Sequence, residues 1–384
     1  MIQSHTHSLM RIGSPIITET GNQTRLTASL VCANERHELY YSVPSEYGHW
    51  LAADRCDGFV VGLLLQAMQQ KKDIVVEGPL SERLYHNLQD FFIPLVAQTF
   101  PNLHPIQIVP ATLIDLTTGG KGVATGFSAG IDSFATVIQH YINENSPDYK
   151  ISHFLFHNVG SHGHENSERA RRLFWQRYEN ARPYTQEVGI PIVPVDSNLA
   201  EIFAIDFVKM HSVLNASIPL VLQNQFQRYY YASGHKYADC GVNHSDDMAR
   251  LDPLAFHLLS TEGLACVSSG CQMSRVEKTA LVADYEPSYR YLNVCVDSAF
   301  EGHNCSVCFK CRRTIFTLDM LDKVHLYDKV FDYEKYKTIR SHYICHLLRV
   351  NKGSVEFEIT NLAIERSNEW WVSLLKLKRF LTKS

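Results

Sequence analysis

Residues 1–118 alternate short β-prone runs with two segments whose apolar side chains recur at helical spacing. Helices are predicted over residues 57–70 and from Ser81, as N-cap, to about residue 100. The β-prone runs lie at 16–20, 25–32, 37–43, 73–77 and 106–113. The pattern predicts a separate α+β domain over residues 1–118.

From residue 119 onward, β-prone runs alternate with amphipathic segments, after a polar, glycine-rich boundary at 117–121. The runs lie at 123–126, 151–157, 190–195 and 229–234, and helices are predicted at 165–187, at 217–225 and from Ser274. Such alternation predicts an α/β domain with a doubly wound parallel sheet over 119–330. Residues 331–384 are predicted to form a helical C-terminal extension.

Ligands bind at the carboxyl ends of the strands in open parallel sheets. The loops at 127–133, 157–164 and 196–198 are therefore predicted to share one crevice. Gly234 ends a further predicted strand and is expected to face the same crevice.

Composition and charge narrow the classes of function. The formal charge of −4 gives no support for a nucleic-acid-binding stripe or for an anionic membrane surface. The first residues lack the pattern of a secretory signal, and no apolar run reaches the roughly 20 residues that span a bilayer. We therefore expect a cytoplasmic protein without a membrane partner.

The stretch Val123-Ala-Thr-Gly-Phe-Ser-Ala-Gly-Ile-Asp-Ser-Phe-Ala-Thr-Val137 is the first with a chemical pattern. A β-prone run turns through small residues into an amphipathic helix. Backbone N–H groups and the helix dipole converge on an anion at such a turn. An ordinary glycine-containing turn is the alternative, and the Gly-Lys-Ser/Thr ending of a Walker loop is missing.

Ser128-Ala-Gly-Ile-Asp-Ser133 resembles the Ser-Gly-Gly-x-Asp-Ser signature of the PP-loop ATP pyrophosphatases. The resemblance implies cleavage of ATP to AMP and pyrophosphate, with adenine at the end of the second strand. The residues expected to contact ATP are Phe127, Ser128, Ala129, Gly130, Ile131, Asp132, Ser133, Phe156, His157 and Gly234. Ala129 replaces a glycine, which costs about 1 kcal/mol if φ is positive and narrows the approach to the phosphate.

Four of the ten cysteines are clustered, at Cys295, Cys305, Cys308 and Cys311. Cys-x2-Cys-x2-Cys with a fourth cysteine upstream brings four thiolates within reach of one tetrahedral Zn²⁺. An iron–sulfur cluster also takes four thiolates, and the spacing leaves that alternative open. The other six cysteines are expected to be small buried hydrophobes.

A PP-loop domain followed by this cysteine pattern resembles the 7-cyano-7-deazaguanine (preQ0) synthase family over roughly residues 119–330. The resemblance implies a ligase that uses ATP to adenylate a 7-deazaguanine carboxylate for attack by ammonia. Residues 1–118 and the C-terminal tail fall outside the resemblance. We therefore expect an elaborated relative of this family, which uses a different amine or a different acid as its substrate. The N-terminal domain is then a candidate surface for a protein partner, and an oligomer is possible.

Catalysis by such an enzyme depends on positioning and charge. Ser128 and Ser133 are predicted to stabilise the pyrophosphate, and Asp132 either to help hold Mg²⁺ or to cap its helix. Lys278 or Arg275 is predicted to reach a phosphate or the substrate carboxylate. No general base is evident from the sequence.

Two other classes of function stay open. One is a PP-loop sulfur transferase that modifies tRNA, and the other is a non-catalytic nucleotide- and zinc-binding module in a complex. The pair His162 and His164 allows metal or phosphate contact, although a solvated loop is the simpler interpretation of these two residues.

Overall fold

The protein is described by a computed structural model that covers residues 8–32, 35–116, 120–163, 167–203, 206–242, 247–297, 299, 302–352 and 354–381. The strands are β1 (Ser8–Ile12), β2 (Ile16–Thr20), β3 (Gln23–Cys32), β4 (Glu35–Pro44), β5 (Lys72–Ser81), β6 (Ile108–Ile114), β7 (Gly122–Gly126), β8 (His153–Asn158), β9 (Ile192–Ser197), β10 (Phe226–Ala232) and β11 (Ala265–Ser269).

The helices alternate with these strands in the middle of the chain and follow one another at its end. They are α1 (Asp57–Gln70), α2 (Glu82–His86), α3 (Ile93–Thr99), α4 (Ile131–Val137), α5 (Ser167–Val188), α6 (Leu199–Ile202), α7 (Phe207–Val221), α8 (Asp252–Ala255), α9 (Arg275–Ala283), α10 (Ser288–Tyr291), α11 (Phe309–Met320), α12 (Tyr333–Leu347), α13 (Val355–Arg366) and α14 (Trp370–Leu381). A wider π-helical turn over Ile138–Ile142 continues α4.

All the strands lie in one mixed sheet, with the order β11-β10-β7-β8-β9-β4-β3-β1-β5-β6 and with β2 paired to β3. The five strands from β7 to β11 are parallel to their neighbours within this part of the sheet. The chain runs outward from β7 through β8 to β9, then returns to place β10 on the other side of β7. The strand order therefore reverses between β7 and β10, where ligands bind in folds of this class. The prediction of an α/β fold is confirmed, and the sheet is large, mixed and mostly parallel.

The sheet is continuous across the predicted domain boundary. β4 pairs antiparallel with β9 through Tyr41 with Ser197 and Ser42 with Asp196. Buried Asp57, at the start of α1, adds a second link, because its carboxylate accepts hydrogen bonds from Ser81 and from the Gln223 side chain. The N-terminal strands and the parallel strands thus share one sheet.

Alternate residues of the central strands face two helical layers. Val123 and Phe154 pack in a core with α4, α5, α9 and α11, whereas Ala124 and Leu155 pack in a core with α1 and α7. This alternation is the period of two that strands impose, and both faces of the sheet are covered.

The predicted helix at 217–225 is placed wrongly, because α7 spans Phe207–Val221 and Pro219 lies in its last turn. The tail is helical as predicted: α12, α13 and α14 pack beside α11, with Trp371 buried and Trp370 exposed. No helix among the described residues is long and apolar enough to cross a membrane.

Candidate functional site

The turn that follows β7 leads directly into α4, and Gly130 is the N-cap of that helix. Ile131, Asp132 and Ser133 form the first turn, where backbone N–H groups have no acceptor within the helix. Ser128 is exposed on the turn, and the Ser133 hydroxyl donates to the Gly130 carbonyl (2.9 Å). The arrangement offers several N–H groups to an anion at the carboxyl end of β7.

Ala129 adopts the left-handed conformation, with φ of 57°. The expected strain at this position is therefore present, at about 1 kcal/mol. Ala129 is buried in the core that contains Phe127, Ile131 and Val294. That the alanine narrows the approach to the phosphate stays a prediction.

Asp132 forms ion pairs with two cations from α9. Its carboxylate oxygens lie 2.6 Å from Arg275 Nη2 and 3.3 Å from Lys278 Nζ. Burial raises the pKa of Asp132, but the two cations outweigh burial and hold it at about 2. The alternative that Asp132 caps its helix is wrong, since the N-cap is Gly130 and no side chain caps it.

Lys278 ties this cluster to the neighbouring strand. Its side chain is 2% exposed, and Nζ donates a 2.6 Å hydrogen bond to the carbonyl of Ser233, just after β10. The cluster therefore lies between the ends of β7 and β10, where the strand order reverses.

Two more cations reach the same cluster from α11. Burial lowers the pKa of Lys310, and Arg275 and Arg313 lower it further. Burial likewise lowers the pKa of Arg313, with Arg275 adding to the effect and Glu356 opposing it. Asp132 and Glu356 are the carboxylates that, among the described residues, pair with or act on Arg275, Lys278, Lys310 and Arg313, so cations outnumber carboxylates in this cluster. A bound anion would relieve the repulsion among these cations.

The aromatic residues predicted to contact ATP belong to the core instead. Phe127 stacks on Phe154 and Tyr184, with ring centroids 4.7 and 5.0 Å apart. Phe156 packs against Phe174 (5.5 Å) on the same side of the sheet. Both rings are buried, Phe127 at 1% and Phe156 at 6% exposure.

His157 lies at the end of β8 on the other face, against α7. Asn215 Nδ2 donates to the His211 carbonyl (2.7 Å), so its Oδ1 accepts from His157 Nδ1 (2.8 Å). Burial lowers the pKa of His157 to about 4, and Asn215 only partly opposes this effect. The ring is therefore neutral, and its buried Nε2 presents a lone pair to which no described residue hydrogen-bonds.

The remaining predicted positions are less informative. Gly234 follows β10, and a Cβ atom there would lie 3.7 Å from the Ala249 methyl, with no other described atom within 4 Å. His162 lies between Phe156 and Phe174, and burial, assisted by Arg177, lowers its pKa to about 3. It is therefore a neutral ring packed on the core, which does not suit it to bind phosphate as a cation. His164 lies outside the described residues.

The four clustered cysteines converge as predicted. The sulfurs of Cys295, Cys305, Cys308 and Cys311 all lie within 4.8 Å of one another. The Cys295–Cys308 and Cys305–Cys311 sulfur pairs are each 3.9 Å apart. The cluster can hold a metal ion.

Backbone groups prepare these sulfurs for a positive ligand. The N–H of Cys305 points at the Cys295 sulfur (3.4 Å), and that of Cys308 points at the Cys305 sulfur (3.1 Å). Ser306, with φ of 65°, makes the tight turn between Cys305 and Cys308.

Sequence reasoning missed that the two sites share α11. Cys308, the N-cap of this helix, and Cys311 belong to the cysteine cluster, while Lys310 and Arg313 interact electrostatically with Asp132 and Arg275. The alternation of cysteine and basic residues over 308–313 is visible in the sequence. However, Asp132 and Arg275, with which the basic residues interact, lie far away in sequence. No protein family, curated protein or solved structure matches this chain.

Proposed function

We propose that the chain is an ATP-dependent ligase that forms AMP and pyrophosphate. It adenylates a carboxylate, of the 7-deazaguanine type implied by the resemblance, for attack by ammonia or another amine. The observation that carries the proposal is the cation cluster beside the turn after β7. Four cations facing two carboxylates suit a polyanion such as the triphosphate of ATP.

The turn and the cations have complementary roles in this reaction. N–H groups at the start of α4 bind the pyrophosphate portion, and Arg275, Lys278 and Lys310 neutralise the charge that develops on it. Asp132 is the carboxylate available to hold Mg²⁺. Because its pKa is about 2, it is ionised across the physiological range.

His157 supports the placement of adenine at the end of β8. Its Nε2 is a buried acceptor without a partner among the described residues, and the exocyclic amino group of adenine is a donor. The orientation of Asn215 fixes this tautomer. Phe156 has no part in this placement, because it packs on the opposite face.

Zn²⁺ is the metal that best fits the four cysteines. A tetrahedral ion with Zn–S bonds of about 2.3 Å separates its sulfurs by about 3.8 Å. The observed 3.9 Å separations leave room for one ion, whereas an iron–sulfur cluster places several atoms between its thiolates. Four protein ligands leave no open position, so this zinc is structural.

Nucleotide product analysis tests the proposal. The protein is incubated with Mg-ATP, ammonia and 7-carboxy-7-deazaguanine. AMP is then resolved from ADP, and the organic product is identified by mass spectrometry. We expect AMP in proportion to an amide or nitrile product. The Asp132→Asn variant should lose this activity, whereas Asp148→Asn, at an exposed loop position, should keep it. Formation of ADP, or AMP formation that persists in Asp132→Asn, would contradict the proposal.

A further inference from the structure

The end of β10 carries a histidine to which the reaction above assigns no role. Ser233, Gly234 and His235 follow this strand, which is the direct neighbour of β7. The Ser233 carbonyl accepts the hydrogen bond from Lys278, which also pairs with Asp132. His235 therefore lies two residues from a group that is tied to the proposed phosphate site.

A carboxylate fixes the orientation of the His235 ring. Nε2 lies 2.9 Å from Asp247 Oδ2, while Asp247 Oδ1 accepts from the backbone N–H of Ala249 (3.0 Å). Burial raises the pKa of Asp247, but hydrogen bonds from His211 and His235 hold it well below its usual range. An ionised carboxylate only accepts, so a proton is on Nε2, and the tautomer with that proton carries its lone pair at Nδ1.

The backbone of His235 is also held in place. The Ser233 hydroxyl donates to the His235 carbonyl (2.7 Å) and accepts from its N–H (3.2 Å). The side chain is 14% exposed, so the ring is not fully enclosed by the described residues. Within the described ranges, no residue hydrogen-bonds to Nδ1. The lone pair is therefore positioned and available.

We propose that His235 is the general base of the amine-transfer step and that Asp247 positions it. This inference rests on the proposed function. As the amine nitrogen bonds to the acyl carbon, one of its protons passes to His235 Nδ1. The C–O bond to AMP breaks, its electron pair stays on the phosphate oxygen, and the imidazolium releases its proton to water. Asp247 offsets the charge of that imidazolium, whereas adenylation needs no base because the carboxylate attacks as an anion.

The two half-reactions can be measured separately with 7-carboxy-7-deazaguanine as the acid. Exchange of labelled pyrophosphate into ATP reports adenylation, and amide formation from ammonia reports transfer. In His235→Gln we expect exchange near the wild-type rate and amide formation lowered about 100-fold or more. Asp247→Asn should behave similarly, because an amide that donates to Nε2 moves the proton to Nδ1.

Hydroxylamine distinguishes a base from a merely structural residue. It is unprotonated and strongly nucleophilic at neutral pH, so it should restore most of the acyl transfer in His235→Gln. His257→Gln, the same change at an exposed histidine, should match the wild type in all three assays.

Amide formation that is unchanged in His235→Gln would overturn this inference alone. Equal losses of exchange and transfer, without rescue by hydroxylamine, would also overturn it, because they would indicate a structural role. Absence of acid-dependent exchange in the wild type would overturn the proposed function, and this inference with it.

Discussion

The backbone N–H of Asn293 donates a 2.8 Å hydrogen bond to the carbonyl of Ala129. The Asn293 side chain accepts from the N–H of Cys295 (3.3 Å) and donates to the carbonyl of Gly302. One residue thus supports both the turn after β7 and the segment that carries the first cysteine. The conformation of the turn therefore depends on that of the cysteine cluster.

Loss of the metal is expected to weaken nucleotide binding. Cys308→Ser removes one of four ligands and releases the start of α11, which holds Lys310 and Arg313 near Asp132. We expect loss of zinc, lower thermal stability and at least tenfold weaker ATP binding, measured by metal analysis and calorimetry. Cys345→Ser, at an exposed cysteine outside the cluster, is the control. Full ATP affinity in zinc-free Cys308→Ser would refute the coupling.

Replacement of Asp132 by Asn should affect stability as well as activity. Lys278 is almost fully buried, and without Asp132 its ammonium group keeps the hydrogen bond to the Ser233 carbonyl but loses its carboxylate partner. We expect the free energy of unfolding to fall by about 3 kcal/mol, measured by urea denaturation. Because the cations remain, inorganic pyrophosphate should stabilise the variant more than the wild type. Absence of stabilisation by pyrophosphate in both proteins would show that the cluster is not an anion site.

The conformation of Ala129 gives a third prediction. In Ala129→Gly, relief of about 1 kcal/mol of strain is offset by lost methyl contacts and by greater unfolded-state entropy. We expect the free energy of unfolding to change by less than about 1 kcal/mol and ATP affinity to stay the same. Ala129→Val should destabilise by about 2 kcal/mol or more, since a β-branched residue is disfavoured at positive φ. A valine variant as stable as the wild type would contradict the assigned backbone conformation.

Asp252 should make stability fall as pH rises. Burial raises its pKa to about 6, and its Oδ2 has no partner among the described residues. In the unfolded state, Asp252 loses its proton near pH 4, whereas in the folded state it keeps the proton up to about pH 6. The free energy of unfolding therefore decreases as the pH rises from about 4 to 6. Asp252→Asn should flatten this slope and raise the free energy of unfolding above pH 6 by about 2 kcal/mol. An identical pH profile in the two proteins, measured by denaturation across this range, would exclude this role for Asp252.

Local patterns were enough to predict most of the elements. The helical spacing over 57–70 matches the bounds of α1, and the runs after residue 119 correspond to β7, β8, β9 and β10 within a few residues. The helix predicted at 217–225 overlaps only the end of α7, which begins at Phe207 and has Pro219 in its final turn. Proline's missing N–H leaves one carbonyl unpaired, and the helix ends soon afterwards.

Pairings between distant segments could not be predicted from the sequence. The pairing of β4 with β9 cannot be recognised from the alternation of apolar and polar residues in either strand, because that alternation does not specify the partner strand. The approach of Lys310 and Arg313 to Asp132 likewise depends on how α11 packs beside α9. Within the site, cysteine spacing predicted one cluster, but the Asp247–His235 pair has no distinctive spacing.

The pairing of β4 with β9, through two residue pairs, also affects which fragments of the chain can fold without the rest. A protein shortened to begin at residue 120 would expose β9 as an open edge and uncover the apolar side of α7 that packs on α1. Open edges beside apolar surface recruit strands from other molecules. In such a fragment, aggregation would compete with folding. In the intact protein, residues 8–114 cover both the edge of β9 and the apolar side of α7.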